Sequence, residues 1–244
     1  FEATQEPKSD RCFISSTLNP EGSYFHFVSS SLEDGKIYLV AVQAENQVGT
    51  WSDFVTSEPI FIDGSPPELM INEISGGVKY QNTIYLLDFN DLELSFSAHD
   101  PHSGIVEVAY AIVQEPKLTG KENWKATVEQ LAFEVKVGVP FHIAIRATNA
   151  VGLNKIIFTS TIVLDNTAPL IINFSDEGEF SPSTRRLVFN ATVAEPESVI
   201  EKLQYCLGTA PGSKDLSLKL PMAVDGWLEA EVPSGGFATE LVVD

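Results

Sequence analysis

The chain has 244 residues, with 34 Asp and Glu against 15 Lys and Arg, for a net charge of −19. A surface that acidic repels phosphate backbones, which are held by clustered Lys and Arg, so nucleic acid is excluded as a partner. Apolar residues at 43% supply material for packed cores, yet no apolar run approaches the ~20 residues that span a bilayer, which excludes direct membrane insertion of this segment.

The opening "FEATQEPKSD" lacks a basic start and an apolar stretch behind it, and it reads as the middle of a domain within a longer protein. The first strong element is "YLVAVQA", whose alternation puts Tyr38, Val40, Val42 and Ala44 on one face of a strand. "ENQVG" then supplies a turn through Asn46 and Gly49, and a last strand, "DFVTSEPIFID", runs to Asp63. Pro66 and Pro67 stop that strand and stiffen a linker, because proline fixes φ and donates no backbone hydrogen bond.

Strands follow at "ELMINE", at "LELSFSA" with Leu92, Leu94 and Phe96 inward, and at "VEVAYAIV" with Val106, Val108, Tyr110 and Ile112 inward. "EQLAFEVKV" ends in β-branched residues and a Gly138-Val139-Pro140 stop, which favours a strand over a helix. "FHIAIRA" then repeats the earlier pattern with Phe141, Ile143, Ile145 and Ala147, "TNAVG" repeats the turn, and "IIFTSTIVLD" runs as one strand to Asp165 before Pro169. "LIINFS", "RLVFNATV" and "LQYCLG" restart the series.

Laying Tyr38 on Phe141 brings Asn46 onto Asn149 and Gly49 onto Gly152, an internal repeat of about a hundred residues, the size of one small β-sandwich. The expected fold is all-β: tandem antiparallel sandwiches joined end to end by short proline-containing linkers. The modules fall at 1–63, shortened at its N-terminus, 64–165, complete, and 166–244, incomplete at its C-terminus. Cys12 and Cys206 stand on equivalent strands two modules apart, beyond the ~7 Å Cα separation a disulfide spans, so both are expected as free thiols.

"YLVAVQAENQVGTWS" and "FHIAIRATNAVGLNK" resemble the penultimate strand, turn and last strand of fibronectin type III domains, and "LDNTAP" resembles the linker between tandem immunoglobulin-like domains. "DPHSGIVEVAYAI" and "LQYCLGTAPGSKDL" are similar to a fibronectin-III-like variant of large surface and matrix proteins. The second-strand tryptophan of the family is replaced by Phe96 and Phe189, with Trp124 and Trp227 expected to take over as core anchors. The resemblance covers most of residues 30 to 215 and implies an extracellular or cell-surface glycoprotein engaged in spacing, presentation or cell adhesion. Its partners would be other proteins, copies of itself or surface glycans.

No catalytic constellation accompanies these structural motifs: there is no Gly-x-Ser-x-Gly, phosphate-cradling loop or His-Glu-x-x-His, and the expectation is a protein without enzymatic activity. "HDPH", with His99, Asp100 and His102, offers metal-ligand types but reads as a polar turn opened by Asp-Pro and closed by Ser103-Gly104. Glu195 and Glu197 lie in a loop without a partner at a defined spacing. The candidate cofactor is Ca²⁺, which takes six to eight oxygens and could draw them at the linkers from Asp63, Asp165, Asn166 and the loop acid Asp100. The competing reading gives those Asp residues only turn-closing hydrogen bonds. Asn173-Phe-Ser175 and Asn190-Ala-Thr192 are N-glycosylation sequons, with Asn190 expected to be the better acceptor. Two alternatives to an adhesive spacer stand beside it: accessory, carbohydrate-binding modules of a secreted enzyme, and a subunit segment of an extracellular filament.

Overall fold

The computed structural model describes residues 32–126, 135–181, 187, 189–219, 223–230 and 238–243. Short strands dominate, with single-turn 3-10 helices at Phe89–Asp91 and Ser217–Lys219. The first strands are β1 Ile37–Tyr38, β2 Ala41–Val42, β3 Val55–Thr56 and β4 Ile60–Phe61. Then come β5 Glu68–Ser75, β6 Val78–Tyr80, β7 Thr83–Leu86, β8 Glu93–His99, β9 Ile105–Val113 and β10 Lys125–Ala126. They are followed by β11 His142–Asn149, β12 Asn154–Phe158, β13 Thr161–Leu164 and β14 Leu170–Asp176. The last are β15 Phe189–Ala194, β16 Leu203–Tyr205, β17 Leu228–Ala230 and β18 Ala238–Val243.

The chain divides into two compact units, one from Phe1–Glu68, Ala98–Glu107 and Ala147–Lys155, the other from Leu69–Ser97, Val108–Arg146 and Ile156–Asp244. In the first unit β1 pairs with β4 and β2 with β3, both antiparallel. Their hairpin turns through Asn46 and Gly49, and Gly49 holds φ +82, a conformation glycine adopts without a steric penalty. Of the inward face expected here, Tyr38 is half-buried while Val40 and Val42 are exposed; residues 1–31 of the expected first module lie outside the described residues. The strand expected at "EQLAFEVKV" also lies largely outside them.

The second unit holds the main core. A four-stranded sheet runs β10-β9-β11-β12, and β11 is flanked on both sides. Ile143 and Ile145 are buried on one face of β11, and Ala144, a small side chain on the other, is buried as well. Phe141 (1% exposed), Tyr110, Ile84, Leu86 and Ile162 are buried beside them, each contributing about 1.5–3 kcal/mol by leaving water. Phe96 is half-buried, and Val106 is exposed.

Three expectations are corrected. The last strand of the repeat is not continuous: it breaks at Thr159 and Ser160 into β12 and β13. Thr159 is buried, and its hydroxyl oxygen accepts from the Ile143 N–H at 2.9 Å, replacing a ladder bond at the break. The break lets β13 leave the sheet of β12 and lie parallel to β7, with Thr161 opposite Thr83 and Leu164 opposite Leu86, so the pairing is not purely antiparallel. The tryptophans do not anchor the core either. Trp124 is half-buried beneath the Arg146 guanidinium, 4.5 Å from its ring centroid, and Trp227 is exposed beneath Lys214.

Candidate functional site

The residues richest in chemistry collect at the two Asp residues that close the repeated strands. Within the first unit, Asp63 follows β4, and its side chain is fully buried. Its Oδ2 accepts from Asn149 Nδ2 at 2.9 Å and from the Ser103 hydroxyl, and its Oδ1 accepts from the Ser65 N–H at 3.3 Å. Asn149, 1% exposed at the end of β11, also donates through Nδ2 to the Ser65 carbonyl (3.1 Å) and Asp100 Oδ2 (3.1 Å), while its Oδ1 accepts from the Leu153 N–H at 2.8 Å. One buried amide therefore ties two carboxylates to a turn.

Asp100 opens the "HDPH" turn as the sequence indicates: its Oδ1 accepts from the backbone N–H of His102, Ser103 and Gly104. Burial pushes the Asp100 carboxyl up, but the Asn149 amide and those three N–H groups outweigh it and hold the group below its ordinary value. Asp34 is also held low, by the Ser65 hydroxyl at 2.5 Å first and then by the Gly64 N–H at 2.7 Å. His102 completes the group, with Nδ1 3.4 Å from Asp34 Oδ1, 3.7 Å from Asp63 Oδ1 and 3.4 Å from Ser65 Oγ. His99 is exposed on β8.

The residues around Asp165, within the other unit, rebuild the same frame. The Gly35 N–H donates to the Ile62 carbonyl at 2.8 Å in the first group, and the Gly138 N–H donates to the Leu164 carbonyl at 2.8 Å in the second. The Ser65 N–H donates to Asp63, and the Thr167 N–H donates to Asp165 at 3.3 Å. Glu195-Pro196-Glu197 stands where Asp100-Pro101-His102 stands, the Glu197 N–H donating to Glu195 Oε1 at 3.1 Å. Even the close approach recurs: a Cβ on Gly35 would lie 2.7 Å from His102 Nε2, and one on Gly138 2.9 Å from Glu197 Cγ. Both glycines also hold φ +72, which a side chain strains, and a Cβ there would in addition have to displace the turn side chain.

The chemistry of the two groups differs. Asp34, Asp63 and His102 offer ligand-type atoms within 4.8 Å of one another, as do Asp165, Glu195 and Glu197. The first set mixes a ring nitrogen with oxygens that already accept protein hydrogen bonds, a poor donor set for a hard cation. The second is all carboxylate, the donor class of a hard divalent ion, and it includes Glu195, only 2% exposed. Burial raises the Glu195 carboxyl above its ordinary value, and the neighbouring Glu197 and Asp165 carboxylates add to that, while the Glu197 N–H pulls the other way.

The expected Ca²⁺ set is thus divided. Asp63 and Asp100 meet at the Asn149 amide, Asp165 belongs with Glu195 and Glu197, and Asn166 is exposed and part of neither group. Asp34, His102, Glu195 and Glu197 were missing from it. Overlaying the two Xaa-Pro-Xaa turns, Asp100-Pro-His102 on Glu195-Pro-Glu197, would have found three of them.

The sequons lie on β14 and β15: Asn173 is exposed and Asn190 half-buried, the reverse of the expected order of access. Cys206 is a free, half-buried thiol, and Cys12 lies outside the described residues. No helix among the described residues is long and apolar enough to cross a membrane. No protein-family model matches the chain, and no curated protein matches it.

Proposed function

We propose that the chain is a non-catalytic spacer of a long extracellular or cell-surface protein, built from fibronectin-III/immunoglobulin-like modules, which presents or adheres through other modules or copies of itself. What supports this reading is the linker built twice. A Gly N–H onto the last strand, an Asp closing it and an Xaa-Pro-Xaa turn recur in both places with matching hydrogen bonds. An array whose function is contour length needs joints held in one conformation, and repeated joint chemistry is how a chain secures that at every step.

Small-angle scattering tests it. A compact 244-residue particle has a radius of gyration of about 18 Å. A spacer should exceed that clearly, and Asn149→Ala, which unties the first linker, should broaden its distance distribution. A compact value unmoved by the substitution would reject the reading.

A further inference from the structure

The two sequons are side by side in space. β14 and β15 pair antiparallel with Asn173 opposite Thr192 and Ser175 opposite Asn190, so each acceptor asparagine faces the hydroxyl residue of the other sequon. On β15, Ala191 and Val193 are buried, which turns Asn190 and Thr192 to the opposite, outward face, and their cross-strand partners Asn173 and Ser175 share it. The asparagines are diagonal neighbours, with side chains on one face about 7–8 Å apart.

β14 is also the terminal strand of the β14-β15-β18 sheet, and all seven of its residues are exposed. Leu170, Ile171, Ile172 and Phe174 each show at least 60% of their surface. Among the described residues no strand pairs with its other side, and an apolar edge strand of that kind invites pairing with another chain unless something covers it. The sequence places a sequon in the middle of that strand, and its asparagine is the more exposed of the two.

We propose that Asn173 carries an N-linked oligosaccharide that shields the β14 edge. In the transfer, Asn173 Nδ2 attacks the anomeric carbon of a lipid-diphosphate-linked oligosaccharide. The C–O bond to the diphosphate breaks, the amide gives up one proton, and the lipid diphosphate leaves. Because only a chain in a secretory lumen meets that donor, the assignment depends on the extracellular reading above.

The test expresses the full chain behind a supplied signal sequence in cultured animal cells and maps glycopeptides from both cells and medium. Asn173 is expected to be occupied, with or without Asn190, and the glycan should vanish in both Asn173→Gln and Ser175→Ala. The Asn173→Gln protein should self-associate at about tenfold lower concentration in sedimentation, a change of ~1.4 kcal/mol. Asn173 unmodified in both pools overturns the site, and because the signal is supplied, that result leaves the spacer reading standing. An occupied Asn173 whose loss leaves association unchanged overturns the shielding role.

Discussion

Replacing Asn149 by Ala removes the amide that serves Asp63, Asp100 and the Ser65 carbonyl together. A hydrogen bond to a charged group contributes about 1.5–3 kcal/mol, more when its loss strands a buried carboxylate. Asp63 retains the Ser103 hydroxyl and Asp100 retains three backbone N–H groups, so the lower end applies to each. Adding the Leu153 N–H, which loses its acceptor, brings the cost to about 4 kcal/mol. Asn46 is the internal control. It occupies the matching turn of the first repeat, but it is exposed, and its side-chain oxygen accepts the local Val48 and Thr50 N–H groups, so Asn46→Ala should cost about 1 kcal/mol. Amide hydrogen exchange at Gly35, Ile62 and Gly64, which knit the backbone around Asp63, reads the difference directly. Protection there should fall by about a thousandfold in Asn149→Ala and only several-fold in Asn46→Ala. Losses within tenfold of each other would refute the buried amide as the tie.

Phe141→Ala should lower stability by about 3–5 kcal/mol in urea melts, since the ring is 1% exposed and fills space beside Phe89. Glu195→Gln should stabilise the protein at neutral pH. A carboxyl raised on folding leaves stability intact below its unfolded value and loses it as pH rises through the folded one, so the advantage should shrink on acidification toward the ordinary carboxylate range, followed by thermal melting. Asp100→Asn should do the opposite. A carboxyl lowered on folding stabilises above its unfolded value, so the loss should be largest at neutral pH and fade as pH falls through the folded value.

Period-two alternation was enough to find most strands, though it does not mark every buried residue. In β11 it marks Ile143, Ile145 and Ala147, yet Ala144 on the opposite face is as deeply buried, while His142 and Arg146 on that face are half-buried. The parallel β7–β13 pair was not legible. It depends on a long-range match between segments about eighty residues apart, and on Thr159 supplying a side-chain acceptor where the backbone ladder stops. Local pattern carries neither fact. The tryptophans misled for a related reason: a large apolar ring suggests core, but Trp124 and Trp227 each lie under a cation, which a strand pattern does not encode.

The two groups show how one backbone arrangement can carry opposite electrostatics. Sequence pattern located Asp63 and Asp165 because proline punctuation is local, whereas their neighbours arrive from loops tens of residues away. Around Asp63 the partners are donors: the Asn149 amide, the Ser65 and Ser103 hydroxyls and the turn N–H groups stabilise the ionised carboxylates, so Asp34 and Asp100 are held low. Around Asp165, Glu197 replaces His102 and Val137 takes the place of Asp34, so carboxylate meets carboxylate around a buried Glu195, which is held high. Acid therefore removes favourable interactions from the first group and relieves repulsion in the second. The frame is copied, and the residues placed on its turn decide the sign of each group's response to pH.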